Sequence, residues 1–185
     1  MNPRSSSGLS LWELLWCLGI AGTLLGAAVP AFRDVVAASR RTADINGFVT
    51  SVQLARSEAA KRAEAVVLCK TADGRRCAGD KLRYDAGWMV FVNTDRARPP
   101  ERGDADDLLL RYQPRSRGSI TSNRRLYEFR AFGWRSTNGT VTFCDGLGRA
   151  RAVIVSYTGR PRIDDEGPGG RPLSCAELPL SLIHI

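Results

Sequence analysis

The alternation of apolar and polar residues divides the chain into three textures. Residues 14–32 carry no charge over nineteen positions, enough for a helix to cross a bilayer. In residues 33–65, Ile45, Phe48, Val52, Ala55, Ala59 and Ala63 recur at intervals of three and four. Arg40, Arg41, Arg56, Glu58 and Arg62 fall largely elsewhere, which predicts an amphipathic helix. Glu58 and Arg62 make a favourable i,i+4 pair on it. Residues 9–65 are therefore expected to form one long helix, apolar all round at first and on one face afterwards. Gly47 weakens it locally, and Gly22, Gly26 and Pro30 loosen or kink its first half.

Beyond Ala65 the period shortens. Strands are expected near residues 65–69, 88–93, 108–112, 126–132, 140–144 and 150–157, separated by Gly, Asp and Asn. Residues 95–107 read as a charged loop containing Pro99-Pro100, and residues 164–172 as a loop rich in Gly and Pro. The predicted fold class is α+β: a long N-terminal helix, transmembrane and then amphipathic, against a mainly antiparallel β domain.

Composition changes this picture in one respect. The chain has 27 basic and 19 acidic residues, a formal net charge of +8. Eleven arginines between positions 111 and 162 face only Glu128 and Asp145, so that stretch is +9 and the remainder is −1. Such a field favours an anionic partner: nucleic acid, acidic lipid or an acidic protein face. An arginine-rich solvated surface is the plainer alternative.

Five cysteines are present. Cys17 lies in the apolar segment and is expected to stay unpaired. Cys69, Cys77, Cys144 and Cys175 fall in the region expected to be exported, where disulfides form. Four cysteines allow three pairings; the seven residues between Cys69 and Cys77 form a short, closable loop, which favours Cys69–Cys77 with Cys144–Cys175. The spacings fit no zinc pattern and the one histidine is His184, so no metal site, cofactor or enzymatic constellation is expected. Asp104, Asp106 and Asp107 lack the glycine and final glutamate of a calcium loop and read as a solvated face. Trp88 and Phe91 read as sheet core, and packing is favoured for Phe132 and Trp134 despite the flanking Arg130 and Arg135. Residues 180–185, Leu-Ser-Leu-Ile-His-Ile, can be encoded by the transposase adapter of sequencing libraries and read as a scar, with a genuine apolar tail as the alternative.

Glu13 is the informative residue of the N-terminal part. A carboxylate driven to mid-membrane costs about 2.5–3.5 kcal/mol and is usually functional. A cleaved secretory signal, for which Gly26-Ala27-Ala28 offers a site, has no use for it. A lipid-modified Cys17 is disfavoured by the bulky Trp16 before it. Glu13 needs a cationic partner.

Gly8-Leu9-Ser10-Leu11-Trp12-Glu13-Leu14-Leu15 resembles the class III signal of type IV prepilins and pseudopilins, with Leu9 where Phe is usual and Trp12 and Trp16 bulkier than typical. The resemblance implies cleavage by prepilin peptidase between Gly8 and Leu9, then N-methylation. It also implies that Glu13 partners the terminal amine of a neighbouring subunit during assembly. Pro30 also matches a common pilin position. Arg33, Arg40 and Arg41 outnumber Arg4, so an N-in orientation follows from the resemblance and not from charge counting. The implied organisation is a leader at 1–8, a transmembrane and filament-core helix at 9–32, an amphipathic helix at 33–65 and a β-rich domain at 66–179.

The remainder resembles the GspH/FimT family. Residues 52–62 look like its helical signature, 66–69 and 87–93 like its first strands, and 144–162 like its closing strands. The family fold implied is a long helix followed by two antiparallel sheets. Gly159-Arg160-Pro161-Arg162 resembles the Gly-Arg-x-Arg element of DNA-binding FimT-like minor pilins, and Arg149 and Arg151 lie in the same basic block. Guanidinium groups pair bidentately with phosphate, a preceding glycine lets the backbone turn, and Pro161 fixes φ between the arginines. About four phosphate contacts would give a log–log salt slope near −3 to −4. The implied partners are other pilins or pseudopilins, prepilin peptidase, the inner membrane before assembly, and DNA during natural transformation. The implied location is the inner membrane with a periplasmic domain, then a filament at the cell surface. The alternatives are a structural tip pseudopilin of type II secretion and, less favoured, a signal-cleaved periplasmic binding protein.

Overall fold

The computed structural model describes residues 10–130 and 136–175. Helix α1, Leu11–Arg62, runs for 52 residues, and the chain divides into two compact units, Met1–Val36 and Ala37–Ile185.

In the first unit, Leu11, Trp12, Leu14, Leu15, Trp16, Leu18, Ile20, Leu24, Leu25, Val29, Phe32 and Val35 are all exposed. Trp12 and Trp16, one turn apart, meet edge to face at 5.9 Å. Apolar residues this crowded and this exposed call for a partner that replaces water. Among the described residues no helix is long and apolar enough to cross a membrane. The uncharged run at 14–32 includes positions 27, 30 and 31, whose side chains lie outside the described set.

The second unit is built on the stripe of α1. Ile45, Phe48, Val52, Ala55 and Ala59 are buried as their spacing predicts. Ala63 is not: the helix stops at Arg62, and Ala63 is exposed with φ 55°. It takes the left-handed conformation that commonly ends a helix just past its last turn.

Among the described residues ten strands follow: β1 Val66–Lys70, β2 Trp88–Val92, β3 Leu108–Tyr112, β4 Ile120–Ser122, β5 Leu126–Phe129, β6 Gly139–Cys144, β7 Ala150–Val155, β8 Pro161–Asp164, β9 Glu166–Gly167 and β10 Arg171–Pro172. They form two four-stranded sheets, β3-β2-β1-β5 and β4-β6-β7-β8, and a β9–β10 ribbon, with every pairing antiparallel. The fold is thus α+β with two antiparallel sheets.

Phe48 joins these layers. Its ring makes edge contacts with Tyr84 at 6.0 Å, Trp88 at 5.5 Å, Tyr127 at 5.9 Å and Phe143 at 5.9 Å. Trp88 and Tyr127 belong to the first sheet and Phe143 to the second, so one helical side chain is shared by both. Trp88 also donates its indole N–H to Ser51 Oγ at 2.9 Å. The other face of the first sheet is covered too: Val67, Cys69, Met89 and Phe91 form a second cluster with Cys77 and Leu126 against it. Burial on both faces explains why β1 and β2 read as nearly unbroken apolar runs.

Several sequence expectations change. β5 ends at Phe129; Phe132, Trp134 and Arg135 lie outside the described residues. β7 ends at Val155, leaving Tyr157 in a turn. β4, β9 and β10 lie outside the expected strands, and β8 meets them only at the end of the 144–162 stretch that resembles the family's closing strands. β8 opens on a proline and carries Arg162 and Asp164, composition suited to an edge and invisible to a search for apolar alternation. The acidic group at 104–107 is not merely solvated: Asp106 is buried and accepts from the amides of Thr94 and Gly103 at 2.9 and 2.8 Å, while Asp107 pairs with Arg62 at 2.9 Å.

Candidate functional site

The disulfides are Cys69–Cys77 and Cys144–Cys175; Cys17 is free and exposed. The first holds the loop after β1 against the outer face of its sheet. The second ties the end of β6 to the segment beyond β10.

Gly8 and Leu9, the expected cleavage pair, lie outside the described residues. Glu13 is in the first turn of α1 and exposed. A carboxylate there meets the positive end of the helix macrodipole.

The expected DNA-contacting residues all lie on the β7–β8 hairpin and its approach. Its turn is tightly bonded. Gly159 N–H donates to Ser156 O at 2.8 Å, Ser156 N–H to Arg160 O at 3.1 Å and Arg160 N–H to Ser156 Oγ at 3.1 Å. Gly159 has φ +70°, and a Cβ there would stand 2.8 Å from Ser136 Oγ, 3.0 Å from Phe129 Cδ1 and 3.1 Å from Arg56 Cδ. The position therefore requires glycine for both conformation and close packing. Immediately after it Arg160 is exposed, and among the described residues no carboxylate lies within ion-pair distance of it.

The other three arginines are differently placed. Arg162 pairs with Asp164 at 3.0 Å across one face of β8. Arg151 meets Asp165 through two hydrogen bonds, 2.6 and 3.2 Å, which hold the Asp165 carboxyl below its usual range. Arg149 Nε lies 2.8 Å from Asp145 Oδ2. The +9 count over residues 111–162 stops two positions before Asp164, so the sequence window excluded the carboxylates that fold back onto its arginines.

Asp145 anchors a network of its own. Its side chain is 1% exposed and also 3.2 Å from Arg41 Nη1 on α1. Burial alone pushes the Asp145 carboxyl up. Hydrogen bonds from the Arg149 amide and guanidinium and the Leu147 amide, with the charge of Arg41, outweigh this and leave it below its ordinary value. Arg149, Arg151 and Arg162 are thus each paired with a carboxylate, whereas Arg160 is exposed with no such partner among the described residues.

Arg56, which the sequence places only on the polar face of a helix, belongs to the site. Its aliphatic stem passes beside Gly159, which brings a second cation to the turn from a residue about a hundred positions away. Nothing local in the sequence marks that contact. Among the described residues no group of three or more His, Cys, Asp or Glu side chains could hold a metal ion.

The model of the type II transport protein GspH matches residues 44–159. The chain is similar to the pilin-like protein PilA1 of Thermus thermophilus, at 30% identity over 166 residues, covering 85% of this chain and 97% of the relative. Among solved structures it is similar to the type IV minor pilin FimU of Pseudomonas aeruginosa, at 16% identity and a TM-score of 0.45, over 77% of this chain and 98% of that one.

Proposed function

The chain belongs to the GspH family of type IV pilin-like minor pilins and pseudopilins, and from that premise we propose that it is a minor pilin of a type IV pilus that contacts DNA through Arg160 and Arg162. Prepilin peptidase trims the precursor between Gly8 and Leu9. The uncharged run at 14–32 holds the subunit in the inner membrane and then enters the filament core. There Glu13 neutralises the methylated amine of an adjacent subunit, since a carboxylate withdrawn from water needs a counter-charge.

The observation that carries the DNA reading is the Gly159 turn. It presents Arg160 outward on a hydrogen-bonded support, with Arg56 beside it and, among the described residues, no carboxylate partner for Arg160. Arg162, 68% exposed in its side chain, is held to Asp164 by a surface pair of the kind worth little, so a phosphate can displace that partner. Contacts of this sort read backbone charge and not base sequence. Uptake of DNA in natural transformation is the role such a contact would serve.

Gel shift with wild-type protein and the Arg160→Gln/Arg162→Gln double variant tests this. Binding at low salt that the double variant loses supports the reading. No binding, or binding unaffected by the variant, removes it. The pairing of Arg149, Arg151 and Arg162 with carboxylates favours a second reading, a tip pseudopilin of type II secretion with a structural role, and the same negative result would select it.

A further inference from the structure

Tyr157 occupies the tip of the β7–β8 turn with 69% of its surface exposed. Every other aromatic ring described from Ala37 onward is buried or half-buried. A tyrosine left in solvent forgoes the burial of a large apolar face, and here its setting is fixed. Tyr157 O accepts from Ser136 N–H at 2.9 Å, and the Ser156 and Thr158 hydroxyls that bracket it lie 2.9 Å apart. With the turn closed by Ser156, Gly159 and Arg160 as well, little backbone freedom remains to be lost when the ring engages a partner.

Two arginines meet at the turn that carries this ring. Arg160 follows three residues later on the same turn, and Arg56 reaches Gly159 from α1. An exposed aromatic face on a hydrogen-bonded turn that also carries arginines is an arrangement that takes up single-stranded nucleic acid: guanidinium groups hold phosphates while a base stacks on the ring. A duplex offers the phosphates but keeps its base faces inside the stack.

Building on the proposed DNA contact, we infer that Tyr157 is a base-stacking residue and that this turn prefers single-stranded DNA to duplex. The arginines supply attraction common to both forms. The ring supplies the discrimination.

The test uses the full chain in detergent micelles, with a labelled oligothymidine and a labelled duplex of equal length, read by fluorescence anisotropy at low salt. Wild type should bind the single strand more tightly. Tyr157→Ala should weaken that complex by about five- to a hundredfold and the duplex far less, so that the preference collapses. Tyr157→Trp, with a larger ring, should tighten the single-strand complex. A thermal melt confirms that each variant is folded. Equal wild-type affinities, or a Tyr157→Ala variant that keeps the preference, would overturn the inference. If Arg160→Gln/Arg162→Gln still weakens both complexes in that case, the DNA contact stands without stacking. If wild type binds neither probe, both readings fall, and the exposed ring belongs to a protein contact instead.

Discussion

Arg41 Nη1 lies 3.2 Å from Asp145 Oδ2 and donates to the carbonyl of Arg149 at 2.7 Å, so one cation of α1 holds the turn between β6 and β7. Both side chains are largely out of solvent, 12% and 1% exposed. Removing the carboxylate leaves Arg41 without its counter-charge, and Asp145→Ala should destabilise the β domain by about 3 kcal/mol, measured by urea unfolding. A double-mutant cycle with Arg41→Ala should give a coupling energy above about 1 kcal/mol.

The same residue fixes the direction of the acid response. The Asp145 carboxyl is held below its ordinary value in the folded protein; unfolded, it titrates near about 3.9. Its stabilisation is complete above that value and is lost as pH falls through the lower folded one, because the unfolded chain takes the proton first. Asp73 reinforces this, held at about 2 by the amides of Arg75 and Arg76. Stability should therefore fall below about pH 4, and in Asp145→Asn the fall should be shallower.

Gly47 should respond to alanine with the sign opposite to that expected of a helical glycine. In an ordinary helix the change gains about 1 kcal/mol. Here the new methyl would overlap the Tyr112 ring. That ring is stacked on Trp88 at 4.3 Å, and its hydroxyl donates to Ala43 O and Asp44 Oδ1 at 3.1 and 3.2 Å, so it cannot simply swing aside. Gly47→Ala should cost about 1–3 kcal/mol and stabilise in a Tyr112→Ala background. Thermal melts of the four proteins measure both.

The two disulfides should differ in weight. Cys144–Cys175 closes a sequence separation of 31 and Cys69–Cys77 one of 8. Loop-closure entropy assigns them about 3.7 and 2.5 kcal/mol. Paired serine substitutions, followed by denaturant titration, should reproduce that order. Non-reducing peptide mapping checks the connectivity itself.

The fold was legible where one surface determines a residue's type. The stripe from Ile45 to Ala59 and the apolar runs of β1 and β2 face interior on known sides, and their periods say so. Phe48 was visible as a core residue, but its role in joining two sheets was not, since Phe143 lies 95 positions away. Ala63 continued the spacing and yet ends the helix, a choice made by the chain turning into β1. The basic site was half legible. Gly159 and Arg160 stand out locally, whereas Arg56 reaches the turn only through tertiary packing. Asp164 and Asp165 looked like the start of a loop, and folding sets them against Arg162 and Arg151.

That last contact has a measurable consequence for salt dependence. Four free arginines would release counterions from about four phosphates, a log–log slope of about −3 to −4. With Arg149 and Arg151 held by Asp145 and Asp165, the proposed contact at the turn falls to Arg160, Arg162 and Arg56, which gives about −1.4 to −2.7 for two to three phosphates. Asp164→Asn/Asp165→Asn releases Arg162 and Arg151 from their partners while leaving the Asp145 network in place. The variant should bind the same single-stranded probe more tightly and show a slope steeper by about 1. A wild-type slope already near −4, or a variant with an unchanged one, would mean that these surface pairs do not compete with phosphate. The charge of the whole block, and not the Gly159 turn, would then set the affinity.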